Sequence, residues 1–438
     1  MQKQKACPPQ VAKQVGREKV CVLGLGYVGF PLAIQCAAKG YAVFGYDKDE
    51  KKLACIEKGE NIVDEKYLEA LLPKTKINII RDEKEMGQCD IFIIAVPTPV
   101  DEKYYPDLGF VEAASRTVAE NMKSGALVVV ESTINPGVCE EVVRPIFEKA
   151  GWKVGETVFI SHCPERINPG DPKWNVTNIP RVVGSFDEEG LEKSVKFYES
   201  ILDGQVMPMK TIREAEAAKI IENSFRDVNI AFVNELAKSF DLMGIDIVNV
   251  IKGASTKPFA FMPHWPSRGV GGHCIPVDPY YLIEKAKEND FDHKFLRSAR
   301  AINNSMPAYT VEVLQEMLNQ IEKSIKGTHI GVLGVSYKAN VGDLRESPAL
   351  KVIEILEKHG AKLHIFDPYL PEHSNMKNIE EMLEKSESVV LLTDHSDFLK
   401  IKPEQYKEKN IQVILDGMNC LDKEAFLKAG LIFKGIGR

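Results

Sequence analysis

Apolar and polar positions change rhythm along the first fifty residues. Residues 20–24 form an apolar run that stops at Gly24, residues 31–39 space apolar side chains at a helical interval, and 41–46 return to a short run ending at Asp47. That order predicts strand, glycine turn, helix and strand, a βαβ unit. Further apolar runs at 91–96 and 126–130, separated by helical or loop segments, extend it to a doubly wound parallel sheet. A first domain over 19–208 follows.

Residues 213–243 contain no proline or glycine and repeat apolar residues at Ala218, Ile221, Phe225, Val228, Phe232, Leu236 and Phe240. The spacing predicts one helix of roughly 45 Å at 1.5 Å per residue, longer than a small domain needs and suited to a spine between domains or subunits. Helical patterns continue to about 323, giving a central helical domain over 209–324. A second βαβ unit then starts at 328–334, with a helix at 348–358 and a strand at 362–366 ending at Asp367. The runs 389–394 and 413–416 echo 91–96 and 128–131. The expected architecture is α/β: two Rossmann-like doubly wound domains joined by a helical region with one long helix, the C-terminal domain covering 325–438.

The length of 438 residues is consistent with that division, and 44% hydrophobic with 27% charged residues is a globular composition. Residues 1–18 lack the apolar core of a secretory signal and read as a tail, so a cytoplasmic location and no membrane partner are expected. Nine cysteines without a Cys-x-x-Cys pair fit reduced thiols better than disulfides or a zinc site. A net charge of −7 without a strong basic patch argues against a nucleic-acid partner.

Gly24-Leu25-Gly26-Tyr27-Val28-Gly29 follows a strand and opens a helix, and Asp47 ends the next strand. The glycines permit a tight turn and close approach of a pyrophosphate, while the acid takes ribose hydroxyls and repels a 2′-phosphate, which favours NAD over NADP. The corresponding turn at 331–338 lacks the three-glycine spacing, so a second NAD is not expected. Its longer loop to Pro348 carries Lys338 and Arg345, either a phosphate-binding pair or a solvated basic loop.

The loop Gly269–Pro279 sets Cys274 four residues before Asp278 among glycines and prolines. A thiolate there can capture an aldehyde, and the carboxylate can handle protons in thioester hydrolysis. Lys219 and Asn223 share a helix face with Glu216 and Asp227; by spacing this is a solvated charged stripe, or else an ammonium and a carboxamide aimed at a developing oxyanion. Two segments, 131–137 containing Thr133 and 163–170 containing Glu165 and Arg166, follow sheet strands, where α/β ligand crevices lie.

These segments together resemble the UDP-glucose/GDP-mannose dehydrogenase family over about 19–437. The resemblance rests on Gly-Leu-Gly-Tyr-Val-Gly at 24–29, Ser-Thr at 132–133, Pro-Glu at 164–165, Glu-Ala-Ala-Lys-Ile-Ile-Glu-Asn at 216–223, Gly-Gly-His-Cys at 271–274, Lys338, and Arg-Glu-Ser-Pro at 345–348. It implies Cys274 as covalent nucleophile, Asp278 and Glu165 as managers of protons and water, Lys219 with Asn223 as oxyanion stabilisers, and Thr133 beside the water and nicotinamide. It implies NAD contacts at Gly24, Gly26, Tyr27, Val28, Gly29, Asp47, Pro97, Thr98, Thr133 and Arg345. Substrate contacts are implied at Glu165, Arg166, Lys219, Asn223, Gly271, His273 and Lys338, with no metal, and dimerisation through the long helix.

The implied reaction oxidises the C6 alcohol of a UDP-hexose to the acid through a thiohemiacetal and a thioester. Gly-Gly-His-Cys-Ile-x-x-Asp-Pro resembles the branch acting on UDP-N-acetylglucosamine or UDP-N-acetylmannosamine, and Cys-Ile-Pro-Val-Asp-Pro-Tyr-Tyr tilts the reading to the gluco form, with the manno form and then UDP-glucose as alternatives. A two-electron hydroxyacid-type dehydrogenase would need no cysteine. A non-catalytic NAD-sensing scaffold would leave Cys274 unreactive.

Overall fold

The computed structural model describes residues 18–63, 65–101, 105–167 and 173–438. The expected tail lies outside the described residues but for Glu18, as do Asn168, Pro169 and Gly170 of the segment after Glu165. The chain divides into two compact units, one running to Glu222 and taking in Tyr280–Glu288, the other made of Asn223–Pro279 and Asn289–Arg438.

In the first unit the described strands are β1 (Lys19–Leu23), β2 (Ala42–Tyr46), β3 (Ile77–Ile79), β4 (Ile91–Ile94), β5 (Ala126–Val130), β6 (Val158–His162), β7 (Arg181–Ser185) and β8 (Val206–Pro208). They pair in the order β3-β2-β1-β4-β5-β6-β7-β8. Every residue of β4 and β5 is buried, as a strand covered on both faces requires. Alternate residues feed two cores: Val20, Val22 and Ile93 pack with Phe30 and Leu32 on one face, while Cys21, Leu23, Phe92 and Ile94 pack with Val111 and Val118 on the other. The order reverses between β1 and β4, which opens a crevice at their carboxyl ends.

One pairing departs from a fully parallel sheet. β7 runs antiparallel to β6, with Ser161 opposite Ser185 and His162 opposite Gly184. A parallel return needs a crossover, usually a helix, and no helix is described between His162 and Arg181. The helix Glu188–Ile201 then supplies the crossover that makes β8 parallel to β7.

The second unit carries a parallel sheet of β9 (His329–Leu333), β10 (Lys362–Phe366), β11 (Ser388–Leu391), β12 (Val413–Asp416) and β13 (Ile432–Gly435), in the order β10-β9-β11-β12-β13. Pro348 opens the helix Pro348–Lys358, which buries Ala349, Val352, Ile353 and Leu356 at helical spacing. Both Rossmann-like domains expected from the echo are present. The long helix spans Ile212–Leu242 and stops before Gly244, whose φ of 68° suits a glycine C-cap. Among the described residues no helix is long and apolar enough to cross a membrane.

Candidate active site

The cofactor turn starts at the end of β1. Gly24 has φ 89°, and a Cβ there would come within 2.5 Å of the Ala95 carbonyl just beyond β4, so only glycine fits. A Cβ on Gly29 would run into the Gly24 carbonyl, whereas one on Gly26 would meet nothing within 4 Å. The first and third glycines therefore serve the protein's own packing, and the second leaves open space beside the backbone. Helix Gly29–Ala38 begins at Val28 without a side-chain cap or an acid in its first turn, so no side chain of its own neutralises the positive end of the helix, although Phe30 N–H is taken by Gly26 O at 3.1 Å. Leu25 N–H donates to Asp47 Oδ2 at 2.8 Å, which ties the turn to the end of β2. Burial opposes the Asp47 charge, but hydrogen bonds from Lys52, Asp49 N–H and Leu25 N–H outweigh it and hold the carboxyl below its usual range. Lys52, 2.8 Å from Asp47, is a neighbour the glycine motif did not announce. These residues fit a dinucleotide. Of the other expected contacts, Tyr27 and Pro97 are exposed, while Thr98 is buried and its carbonyl accepts the Tyr281 hydroxyl at 2.6 Å.

Beyond β5, the Ser132 hydroxyl accepts Val96 N–H at 3.0 Å and donates to Val96 O at 2.8 Å, which locks the chain leading to half-buried Thr133. Beyond β6, Glu165 is buried and well supplied with donors: Arg166 N–H at 2.5 Å and Ile167 N–H at 2.7 Å to Oε1, and Arg181 Nη2 at 2.5 Å to Oε2. Arg166 itself is engaged with Glu222 and with the Pro180 carbonyl.

The reading of Lys219, Asn223, Glu216 and Asp227 as a solvated stripe is overturned, since all four are buried. Glu216 accepts Gly137 N–H and Cys139 N–H at 2.5 and 2.9 Å, and so caps the turn after Pro136. Asp227 pairs with buried Arg300 at 2.5 Å. These two acids are structural. Lys219 is buried on the same face and makes no ion pair among the described residues. Asn223 Nδ2 donates to Asp278 Oδ2 at 2.6 Å, joining two motifs 55 residues apart.

Cys274 sits on a turn whose geometry follows from its glycines. Gly269 and Gly272 have φ of 130° and 90°, and the Cys274 carbonyl accepts Val277 N–H and Asp278 N–H at 3.1 and 2.8 Å. That last bond closes one turn and starts the helix Asp278–Lys287, with Pro279 where a helix start tolerates it. The thiol and the carboxylate thus share one turn.

The sequence did not show that the Cys274 loop is held by the loop after β9. A Cβ on Gly271 would approach Pro348 Cδ at 2.7 Å, Glu346 O at 2.8 Å and Tyr337 Cβ at 2.8 Å, and Gly272 N–H donates to Arg345 O at 3.0 Å. Arg268, fully buried, donates to Ser336 O at 3.1 Å and touches the Met418 sulfur; burial lowers its pKa to about 10. Its only sequence signal was a cation set immediately before the glycines. Burial, and then the Arg345 charge, also lowers the His273 pKa. Arg345 is half-exposed and pairs with Asp343 at 2.6 Å, and Lys338 is half-buried.

Three sequence models of one family match along the chain: the NAD binding domain of the UDP-glucose/GDP-mannose dehydrogenase family at 18–202, its central domain at 213–305 and its UDP binding domain at 331–423. The chain belongs to the UDP-glucose/GDP-mannose dehydrogenase family. Its cofactor is accordingly NAD, and its reaction class is NAD-dependent oxidation of a UDP-sugar. The chain is 36% identical to the UDP-N-acetyl-D-mannosamine dehydrogenase of Pyrococcus horikoshii over 96% of this chain and 99% of that one. It is 34% identical to the UDP-N-acetyl-D-glucosamine 6-dehydrogenase of Pseudomonas aeruginosa, over 93% of this chain and 98% of that one. Among solved structures, the Pyrococcus horikoshii UDP-D-ManNAc dehydrogenase matches with a TM-score of 0.89 over 96% of this chain and 99% of that one, at 36% identity. The UDP-glucose dehydrogenase of Pyrobaculum islandicum matches with 0.86 over 99% of this chain and 100% of that one, at 27% identity.

Proposed function

We propose that this member of the family oxidises the C6 alcohol of a UDP-N-acetylhexosamine to the uronate in a four-electron reaction with Cys274 as nucleophile. The observation that carries the reading is the shared turn of Cys274 and Asp278, with Asn223 hydrogen-bonded to that carboxylate. When bound, NAD accepts a hydride at each of the two oxidation stages. Cys274 adds to the C6 aldehyde as a thiohemiacetal, which becomes the thioester that water hydrolyses. Lys219 and Asn223 stabilise the oxyanion at C6, the ammonium by charge and the carboxamide by its N–H. Asp278 and Glu165 accept and return protons, and Thr133 orients the water. Gly271, His273, Lys338 and Arg166 hold the UDP-sugar, and Arg345 contacts the cofactor.

The first-choice substrate is UDP-N-acetyl-D-glucosamine, on the Cys-Ile-Pro-Val-Asp-Pro-Tyr-Tyr run. UDP-N-acetyl-D-mannosamine is the second, favoured by the 36% identity to an enzyme of that name. NADH formation with each UDP-sugar, at equal concentration, separates them. The nucleophile is tested by Cys274→Ala: acid formation is expected to collapse with NAD binding intact. Uronate at the parent rate, with two NADH per sugar, would refute the covalent route. A homodimer through the long helix completes the proposal, because Ile221, Phe225 and Phe232 stand exposed along it in the single chain.

A further inference from the structure

Behind Glu165, within the first unit, lies a second carboxylate that the mechanism above does not use. Glu131, the last residue before Ser132 and Thr133, is 1% exposed. Its Oε1 accepts the Tyr198 hydroxyl at 2.5 Å, and its Oε2 has no hydrogen-bond partner among the described residues. Arg181, fully buried on β7, bonds Glu165 Oε2 and the Pro164 carbonyl, and its Nε is likewise without a partner. The groups facing Glu131 come from every neighbouring element: Cys36 on the helix Gly29–Ala38, Cys163 and Glu165 after β6, Arg181 on β7, and Tyr198 on the helix Glu188–Ile201.

Two carboxylates and one guanidinium in a dry pocket carry a net negative charge if both acids are ionised, and one proton is the cheapest way to remove it. The hydrogen bonds decide where that proton sits. Glu165 receives three N–H donors, whereas Glu131 receives one hydroxyl and keeps a bare oxygen that can carry the proton.

We infer that Glu131 is a positioning residue for the reaction: it shares Arg181 with Glu165, and its own ionisation sets how firmly that guanidinium holds the Glu165 side chain. The inference rests on the proposed role of Glu165. With Glu131 neutral, Arg181 is committed to Glu165. Once Glu131 ionises, the guanidinium is divided between two carboxyl groups, and its hold on Glu165 Oε2 loosens. Burial, opposed by Arg181 and reinforced by repulsion from Glu165, pushes the Glu131 pKa up to about 7, within the range where the enzyme would respond. Thr133, two residues along, is carried by the same strand end.

The test combines kcat–pH profiles of uronate formation with infrared titration of carboxylic acid bands, in the full chain. The parent should lose one buried carboxylic acid band near pH 7, and Tyr198→Phe, which removes the one bond to Glu131, should shift that loss to higher pH. Glu131→Gln should abolish the band and the matching ionisation in kcat. It should also lower kcat above pH 7 by roughly threefold to tenfold, a small part of the hundredfold or more that a positioned acid or base contributes. If no carboxylic acid titrates between about pH 5 and about 9 in the parent, the inference is wrong even if Glu131→Gln does not fold. If Glu131→Gln keeps the parent profile while Glu165→Gln is inactive, the coupling alone is refuted. Full activity in Glu165→Gln would remove the role of Glu165 and the inference with it.

Discussion

Gly271→Ala is a one-methyl perturbation whose consequence can be worked from contacts. The new Cβ would stand 2.7 Å from Pro348 Cδ, 2.8 Å from Glu346 O and 2.8 Å from Tyr337 Cβ. None of these is the free end of a flexible side chain, and Pro348 is buried at the start of the helix Pro348–Lys358. The glycine loop must therefore yield by several tenths of an ångström, and Cys274 lies three residues further along it. Overpacking of this kind costs about 1–3 kcal/mol of stability. Displacing a reacting group by about 1 Å costs on the order of a hundredfold in rate, so kcat for uronate formation should fall by roughly tenfold to a hundredfold. NAD affinity should fall by less than kcat, because none of the contacts of the new Cβ belongs to the Gly24–Gly29 turn and only the proposed Arg345 contact lies in the loop it presses on. Isothermal titration with NAD, a denaturation curve and steady-state kinetics measure the three quantities. A variant with parent kcat and parent stability would show that the loop after β9 does not hold the Cys274 turn.

Asp47→Ser should narrow the preference for NAD over NADP by at least about tenfold in kcat/KM, since it removes the anion that a 2′-phosphate meets; an unchanged ratio would count against Asp47 as the discriminating residue. Phe225→Glu with Phe232→Glu should shift sedimentation from dimer to monomer, and an unaltered sedimentation coefficient would place the subunit contact elsewhere or deny it. His162 is fully buried, and burial lowers its pKa to about 3. Its unfolded form protonates near pH 6.5 while the folded form stays neutral, so the unfolded state binds more protons as pH falls from about 6.5 to about 3. Stability of the first unit should decline over that window by on the order of 1 kcal/mol per pH unit. A His162→Phe variant with the parent pH slope would show that another group controls it.

Much of the fold was legible because its signals are local. Fully buried strands such as Ile91–Ile94 and Ala126–Val130 stand out as continuous apolar runs, and a stretch without proline or glycine whose apolar residues recur at helical spacing reads as one helix, found at Ile212–Leu242. Gly24, Gly29 and Asp47 were readable because their spacing is dictated by the turn they form. The antiparallel β7 was not, since short strands such as Arg181–Ser185 announce neither their partner nor their direction.

By itself the sequence determined the order of elements, the cofactor turn, the Cys274 turn and the family resemblance, because each is built from signals that are individually local, whether single or strung along the chain. Tertiary structure alone decided which polar residues lose water. Lys219, Asn223, Glu216 and Asp227 have the spacing of a solvated face and are all buried, two of them as structural anchors. It also brought Asn223 to Asp278, Arg268 to Ser336, and Glu131 and Arg181 into the pocket behind Glu165. A carboxyl group's environment is set by groups that are distant in sequence, and its chemistry depends on them: Glu131 and Glu165 are both buried just beyond strands of the same sheet, and the number of donors each receives separates them.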